Sequence, residues 1–262
     1  MGDSKTDKRN DLVFRPPRTR AIRSLNDLYV LAGLSSQALL EMQKRVAEND
    51  DGDDVEFEAP AANGESTIVT RDASQLSKLL HVASARGVYE QMLVTGVAVT
   101  EDYLQGVLRT IFKWFPEKLN LSVDGKQAEK NIGLALIIKS ATVDEILDTV
   151  IEKQLLAVFY GPPERYFDYV ESILSIKIEQ ELRASLAEIK ATRDIIVHNS
   201  GIANEVYISK AGTEARGSVG ERLKTDTAYF KAAIHTMKRL THSVYLKTMQ
   251  KFGNHVPRRK RK

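Results

Sequence analysis

The sequence predicts an all-α protein, a bundle of about six to eight helices. Two observations predict it. Apolar residues recur three and four apart in segment after segment, the period of a helix with one buried face. No alternating apolar and polar run lasts more than a few residues, so no half-buried strand of ordinary length is written into the chain.

Taken in order, residues 1–18 are charged and contain Pro16-Pro17, which predicts an extended N-terminal arm. Residues 19–47 form an N-terminal helical segment on Ile22, Leu25, Leu28, Tyr29, Ala32, Leu39, Leu40 and Val46, with an interruption near Gly33. Residues 48–70 hold the acidic run from Glu48 to Glu58, then Pro60 and Gly64, and predict a linker or long loop.

Residues 71–253 form the main helical domain. Asp72 or Ser74 caps a helix through Leu76, Leu79, Leu80 and Val82, and Gly87 interrupts it. A stripe from Met92 to Phe115 follows, with Thr100 resembling a fresh helix start and Pro116 ending the pattern. A loop carries Asp124-Gly125. Thr142 opens a helix through Ile146, Val150 and Val158, stopped by Gly161-Pro162-Pro163. Tyr166 to Leu174 make the next helix. From Ile178 the stripe runs Leu182, Leu186, Ile189 and Ile196, and Asn199-Ser200-Gly201 ends it on a left-handed turn. Residues 202–220 are weakly patterned, with Val206-Tyr207-Ile208 as a short extended piece. Asp226 to Phe252 form the last helix, with Phe230, Ile234, Met237, Leu240, Val244 and Tyr245 inward. Residues 254–262 are a basic tail.

Composition narrows the function classes. With 262 residues and a net charge of +3, the chain is long enough for a sizeable core but is not a strongly basic nucleic-acid binder overall. It has no cysteine, which excludes disulfides, thiolate metal sites and thiol nucleophiles. The N-terminus is too polar for a signal peptide, and the apolar stretch 132–138 is too short for a bilayer, so a cytoplasmic location away from membranes is expected. There is no Walker loop and no dinucleotide-binding glycine fingerprint. None of His81, His198, His235, His242 and His255 belongs to a His-Glu-x-x-His motif, and Asp50 to Asp54 lack the glutamate that completes a calcium loop. No metal and no cofactor are expected. Arg258, Arg259, Lys260, Arg261 and Lys262 form a tail that holds RNA phosphates by counterion release, or else is a solubilising end.

One constellation carries chemistry. In the stripe from Ile189 to Ile196 the spacing asks for an apolar residue at 193, and Arg193 stands there. An arginine on an inward face is paired, or it borders a cleft or interface. His198 lies five residues on, and Asp194, four before it, shares its face and can orient the imidazole. Histidine suits proton transfer near neutral pH, and arginine suits bidentate contact with phosphate oxygens. The same segment is also an ordinary helix end, with His198 in the last turn suiting the dipole.

The segment Arg193-Asp194-Ile195-Ile196-Val197-His198-Asn199, followed by Gly201 and Tyr207, resembles the motif of the HEPN superfamily, in particular its RiboL-PSP-HEPN type. The run Val99 to Leu104, with Glu101, is similar to that family's early helix, and the resemblance spans roughly 75–252. It implies a HEPN-like bundle that dimerises so that two motifs face each other. It implies an endoribonuclease that needs no metal, in a toxin or antiviral defence system with an antitoxin or regulatory partner. Arg193, His198 and Asp194 would be its catalytic residues, with Asn199, Glu101 and Tyr207 in supporting contacts. Other members of the superfamily are non-catalytic partner- or nucleotide-binding modules, so that reading stays open.

Overall fold

The computed structural model describes residues 10–48, 54–121, 140, 142–160 and 163–254. Over these residues the fold is an all-α bundle, as the periodicity predicts, with one small hairpin that it does not predict. The basic tail, most of the charged N-terminus, the acidic stretch 49–53 and the Asp124-Gly125 loop lie outside the described residues.

Helix α1 runs from Asp11 to Glu48 without a break at Gly33, and it includes residues expected to be an extended arm. Pro16 and Pro17 sit inside it. Tertiary anchoring overrides their cost: Asn10 bonds the carbonyls of Gly253 and Phe252 at the end of the last helix, at 2.9 and 2.7 Å. Phe14 is buried edge-on against Trp114, and Tyr245 donates to the Asp11 carboxylate. The segment is therefore part of the bundle, packed chiefly on the helices Ala73–Val82, Val88–Trp114 and Thr227–Phe252.

The expected linker contains a hairpin. Strand β1 (Val55–Pro60) pairs antiparallel with β2 (Ser66–Arg71), Val55 opposite Arg71 and Phe57 opposite Val69. Its turn closes with Ala61 N–H on the Glu65 carbonyl, and Gly64 takes φ 85°, a left-handed value that glycine accommodates.

Helix α2 (Ala73–Val82) begins on Asp72, whose carboxylate accepts from Gln75 N–H at 2.7 Å. A π-turn, Ala83–Gly87, carries the chain into α3 (Val88–Trp114), so Gly87 widens the helix where a break was expected. Thr100 does not start a new helix. Its buried hydroxyl donates to the Gly96 carbonyl one turn back, satisfying itself within α3. Gly96 is where α3 and the last helix approach closely, since a Cβ there would sit 3.0 Å from Met237 Cε. Pro116 ends α3 in a 3₁₀ turn.

Thr142 caps α4 (Val143–Phe159), and α5 (Pro163–Leu174) follows. Helix α6 (Gln180–His198) carries the motif. Helix α7 (Glu205–Ala211) lies where a short extended piece was expected, started by Asn204, which accepts from Tyr207 N–H at 2.8 Å. Helix α8 (Thr227–Phe252) is capped by Asp226 and buries Phe230, Ile234, Met237, Leu240 and Val244. The main core joins α1, α3, α4, α5, α6 and α8. A second, small core of Ala191, Ile195, Ala203, Tyr207, Ala211 and Leu223 fixes α7 and its flanking loops to the end of α6. Among the described residues no helix is long and apolar enough to cross a membrane.

Candidate functional site

The site grows from the end of α6. The amides of Asn199 and Gly201 both donate to the Ile195 carbonyl, at 2.8 and 2.9 Å. Ser200 and Gly201 take φ of 53° and 76°, the left-handed pair that reverses the chain. The loop is then pinned: Leu223 N–H bonds the Gly201 carbonyl and Ala203 N–H the Glu221 carbonyl, at 2.9 and 2.8 Å. Asn199 closes the turn through its amide on the Ile202 carbonyl, at 2.6 Å. The reversal lays α7 beside the last turns of α6.

A cleft of about 840 Å³ opens between these elements, α3 and α4. Arg193, Asp194, His198, Asn199, Glu101 and Tyr207, the six residues singled out from sequence, all line it. Arg193 is neither in the monomer core nor free. Its Nη1 donates to Asp194 Oδ1 at 3.0 Å, while its buried Nε–H has no protein partner among the described residues.

Asp194 does not orient His198. Its second oxygen accepts from Lys210 Nζ of α7 at 2.9 Å. Two cations thus take the two oxygens of the carboxylate. Burial pushes the Asp194 carboxyl upward, but the hydrogen bond and charge of Lys210, then Arg193 and Lys190, outweigh it and hold the group below its ordinary value. His198 is exposed at the cleft, with no hydrogen bond from its side chain among the described residues.

Glu101 on α3 accepts from Lys190, and both are largely buried. Lys190 stands three residues before Arg193 and so on a neighbouring line of the same helix. Its ammonium lies 5.7 Å from the Tyr166 ring centroid. The cleft wall therefore carries Lys190, Arg193 and Lys210, each tied to a carboxylate that fixes it in place.

Tyr207 lines the cleft but its hydroxyl points elsewhere. It donates to Glu188 Oε1 at 3.0 Å and accepts from Arg216 N–H at 3.0 Å. Glu188 is the centre of a buried network: it also accepts from Thr192 at 2.6 Å, Arg216 Nε at 2.8 Å and Tyr229 at 2.8 Å. The Arg216 guanidinium lies 3.5 Å from the Tyr229 ring centroid. Burial, then the Glu188 charge, raises the Tyr229 phenol well above its ordinary value. These contacts bolt α7 and α8 to the motif helix.

Sequence reading missed Lys190, Lys210, Glu188 and Arg216. Only Lys190 left a signal, its i, i+3 relation to Arg193. Among the described residues no three His, Asp or Glu side chains gather as a metal-binding group. Compared with family models, with curated proteins and with solved structures, the chain matches none.

Proposed function

We propose that this chain is a ribonuclease of the kind its Arg193–His198 motif resembles. The observation that carries the reading is convergence. Arg193 and His198 line one open cleft, and Arg193 keeps an unpartnered Nε–H for a ligand. In the proposed reaction a ribose 2′-OH attacks the adjacent phosphorus. The 2′-O–P bond forms, the P–O5′ bond breaks, and a 2′,3′-cyclic phosphate and a free 5′-OH result. His198 takes or gives the proton at these oxygens. Arg193 holds the phosphate and stabilises the charge of the phosphorane, with Lys190 and Lys210 adding positive charge along the wall.

The reaction needs both a base and an acid, and among the described residues each cleft holds one histidine, His198. A second copy of the chain supplies the other group in this proposal. Exposed Val197 and Val206 at the cleft give that copy an apolar surface to meet. The biological setting we propose is a toxin or defence effector, held in check by an antitoxin or regulatory protein. One observation favours a second reading, a non-catalytic nucleotide-binding module: no protein group among the described residues orients the His198 imidazole.

The test is cleavage of a mixed RNA substrate in the presence of EDTA. Wild type is expected to cut. His198→Ala should lose about 10²–10⁴-fold in rate with its helical content intact. Arg193→Lys keeps the charge but loses the planar fork, and should also be severely impaired. Cleavage that survives both substitutions places the active site elsewhere. No cleavage by wild type, with nucleotide bound at the cleft, selects the second reading.

A further inference from the structure

Helix α1 carries two apolar faces. The residues it buries, among them Ala21, Leu25, Ala32 and Ser36, fall on one side when wound at about 100° per residue. Val30, Leu31, Leu34, Ala38 and Met42 fall on the other. Val30 is 57% exposed, Leu31 50%, Leu34 62% and Met42 46%, and Ala38 is exposed as well. A surface helix ordinarily has one apolar stripe and a polar back. Here the back holds a second stripe, and contiguous exposed apolar surface marks a contact site.

The charges at its two ends decide what covers it. Arg23 and Asp27 lie at one end of the stripe, and Arg45 and Glu48 at the other. All four are exposed, and none forms an ion pair within its own chain among the described residues. Two copies of α1 laid antiparallel about a two-fold axis at the level of Ser36 set Asp27 against Arg45. The same register sets Val30 against Met42 and Leu34 against Ala38, and it brings Arg23 beside Glu48. A parallel pairing would instead set Asp27 against Asp27 and Arg45 against Arg45, which repel. The stripe is thus complementary to an inverted copy of itself, the requirement for an isologous contact.

We propose that the outer face of α1 is a self-association surface, occupied by α1 of a second copy of this chain in antiparallel register. The paired segment, residues 23–48, spans roughly 39 Å. Glu41, which accepts from Gln37 at 3.3 Å, falls within the arc of the stripe between Val30 and Leu34, and this register sets it beside Leu31, so the contact has one polar position on each side of its centre. This contact is separate from the cleft, which α1 does not line. If copies also meet across the cleft, two different two-fold contacts on one chain build an assembly of at least four copies.

The experiment is light scattering on the full chain across the micromolar range. Wild type should associate, and Leu34→Glu should weaken the α1 contact by about tenfold or more. Asp27→Arg and Arg45→Asp should each weaken it, because each sets like charges together. An equimolar mixture of these two variants should recover it. In the mixed pair the introduced arginine meets the introduced aspartate, and the native Arg45 of one copy meets the native Asp27 of the other. Val197→Glu separates the cleft contact: it should leave the α1 pair intact. Circular dichroism confirms that each variant, altered only on an exposed face, stays helical. A monomeric wild type overturns the proposal. So does a mass unchanged by Leu34→Glu, or a mixture no heavier than its two components alone.

Discussion

Removing the Glu188 carboxylate should destabilise the whole bundle, because four donors from four parts of the chain converge on it. Thr192, Tyr207, Arg216 and Tyr229 all donate to its oxygens, between 2.6 and 3.0 Å. The Glu188 side chain is 6% exposed and that of Arg216 25%, so Glu188→Ala strands a partly buried guanidinium and two phenols. Deleting one partner of a buried ion pair costs about 3–5 kcal/mol. The quarter-exposure of Arg216 lets water recover part of that, while the orphaned hydroxyls add to it. We expect a net loss of about 4 kcal/mol, which for a chain of this size lowers Tm by on the order of 10 °C. Urea unfolding followed by circular dichroism reads it. Glu188→Met with Arg216→Met removes both charges and fills the space, so the double variant should be less destabilised than the sum of the singles. A loss below about 1 kcal/mol for Glu188→Ala, or additivity in the double variant, would refute the reasoning.

Two further outcomes are expected. Asp194 is held below its ordinary pKa of 3.8, so its contribution to stability is present above that pH and is lost as pH falls through the lower folded value. Asp194→Asn should therefore be less stable than wild type near neutrality, with the gap closing as unfolding is measured at progressively more acid pH; a gap that widens there contradicts the assignment. Gly201 takes φ 76°, and an added Cβ would lie 3.4 Å from Arg222 Nη1 and Glu90 Oε1. Gly201→Ala should cost roughly 1–2 kcal/mol from its backbone alone, and an unchanged urea midpoint would show that the turn adapts.

The helical period exposed those helices that bury one face over several turns. α3 and α8 repeat apolar residues at three and four along their length, and the spacing named many of their buried residues, among them Val97, Leu104, Ile111, Phe230, Met237 and Val244, but not Tyr89, Leu93 or Met249. What escaped was decided by contacts between distant residues, or was too short to show a period. Pro16-Pro17 and the surrounding charge argue locally for an extended arm, yet the Asn10 bonds to α8 and the burial of Phe14 select the helix. The hairpin escaped because six-residue strands bearing Glu56 and Glu58 carry the composition of a solvated linker. Helix α7, seven residues long, has too few turns to display a period.

The candidate site divides along the same line. Arg193 stood out because it breaks the apolar pattern of its own helix, a local signal. Its consequence, a place at the wall of a cleft, follows from the same pattern. The partner of Asp194 did not follow. Four-residue spacing points to His198, but the turn at Ser200 and Gly201 returns the chain so that Lys210, sixteen residues from Asp194, takes the carboxylate. The Glu188 donors Tyr207, Arg216 and Tyr229 lie 19, 28 and 41 residues away, beyond any helical spacing. Glu188 lies off the apolar stripe of Leu182, Leu186 and Ile189, so spacing along its own helix gave no sign that it would be buried among partners. Which partners reach it depends on how residues 199–226 fold back, and the small core of Ala203, Tyr207 and Leu223 determines that. The motif helix thus presents its chemistry locally, while the groups that hold it rigid come from the segment folded against it.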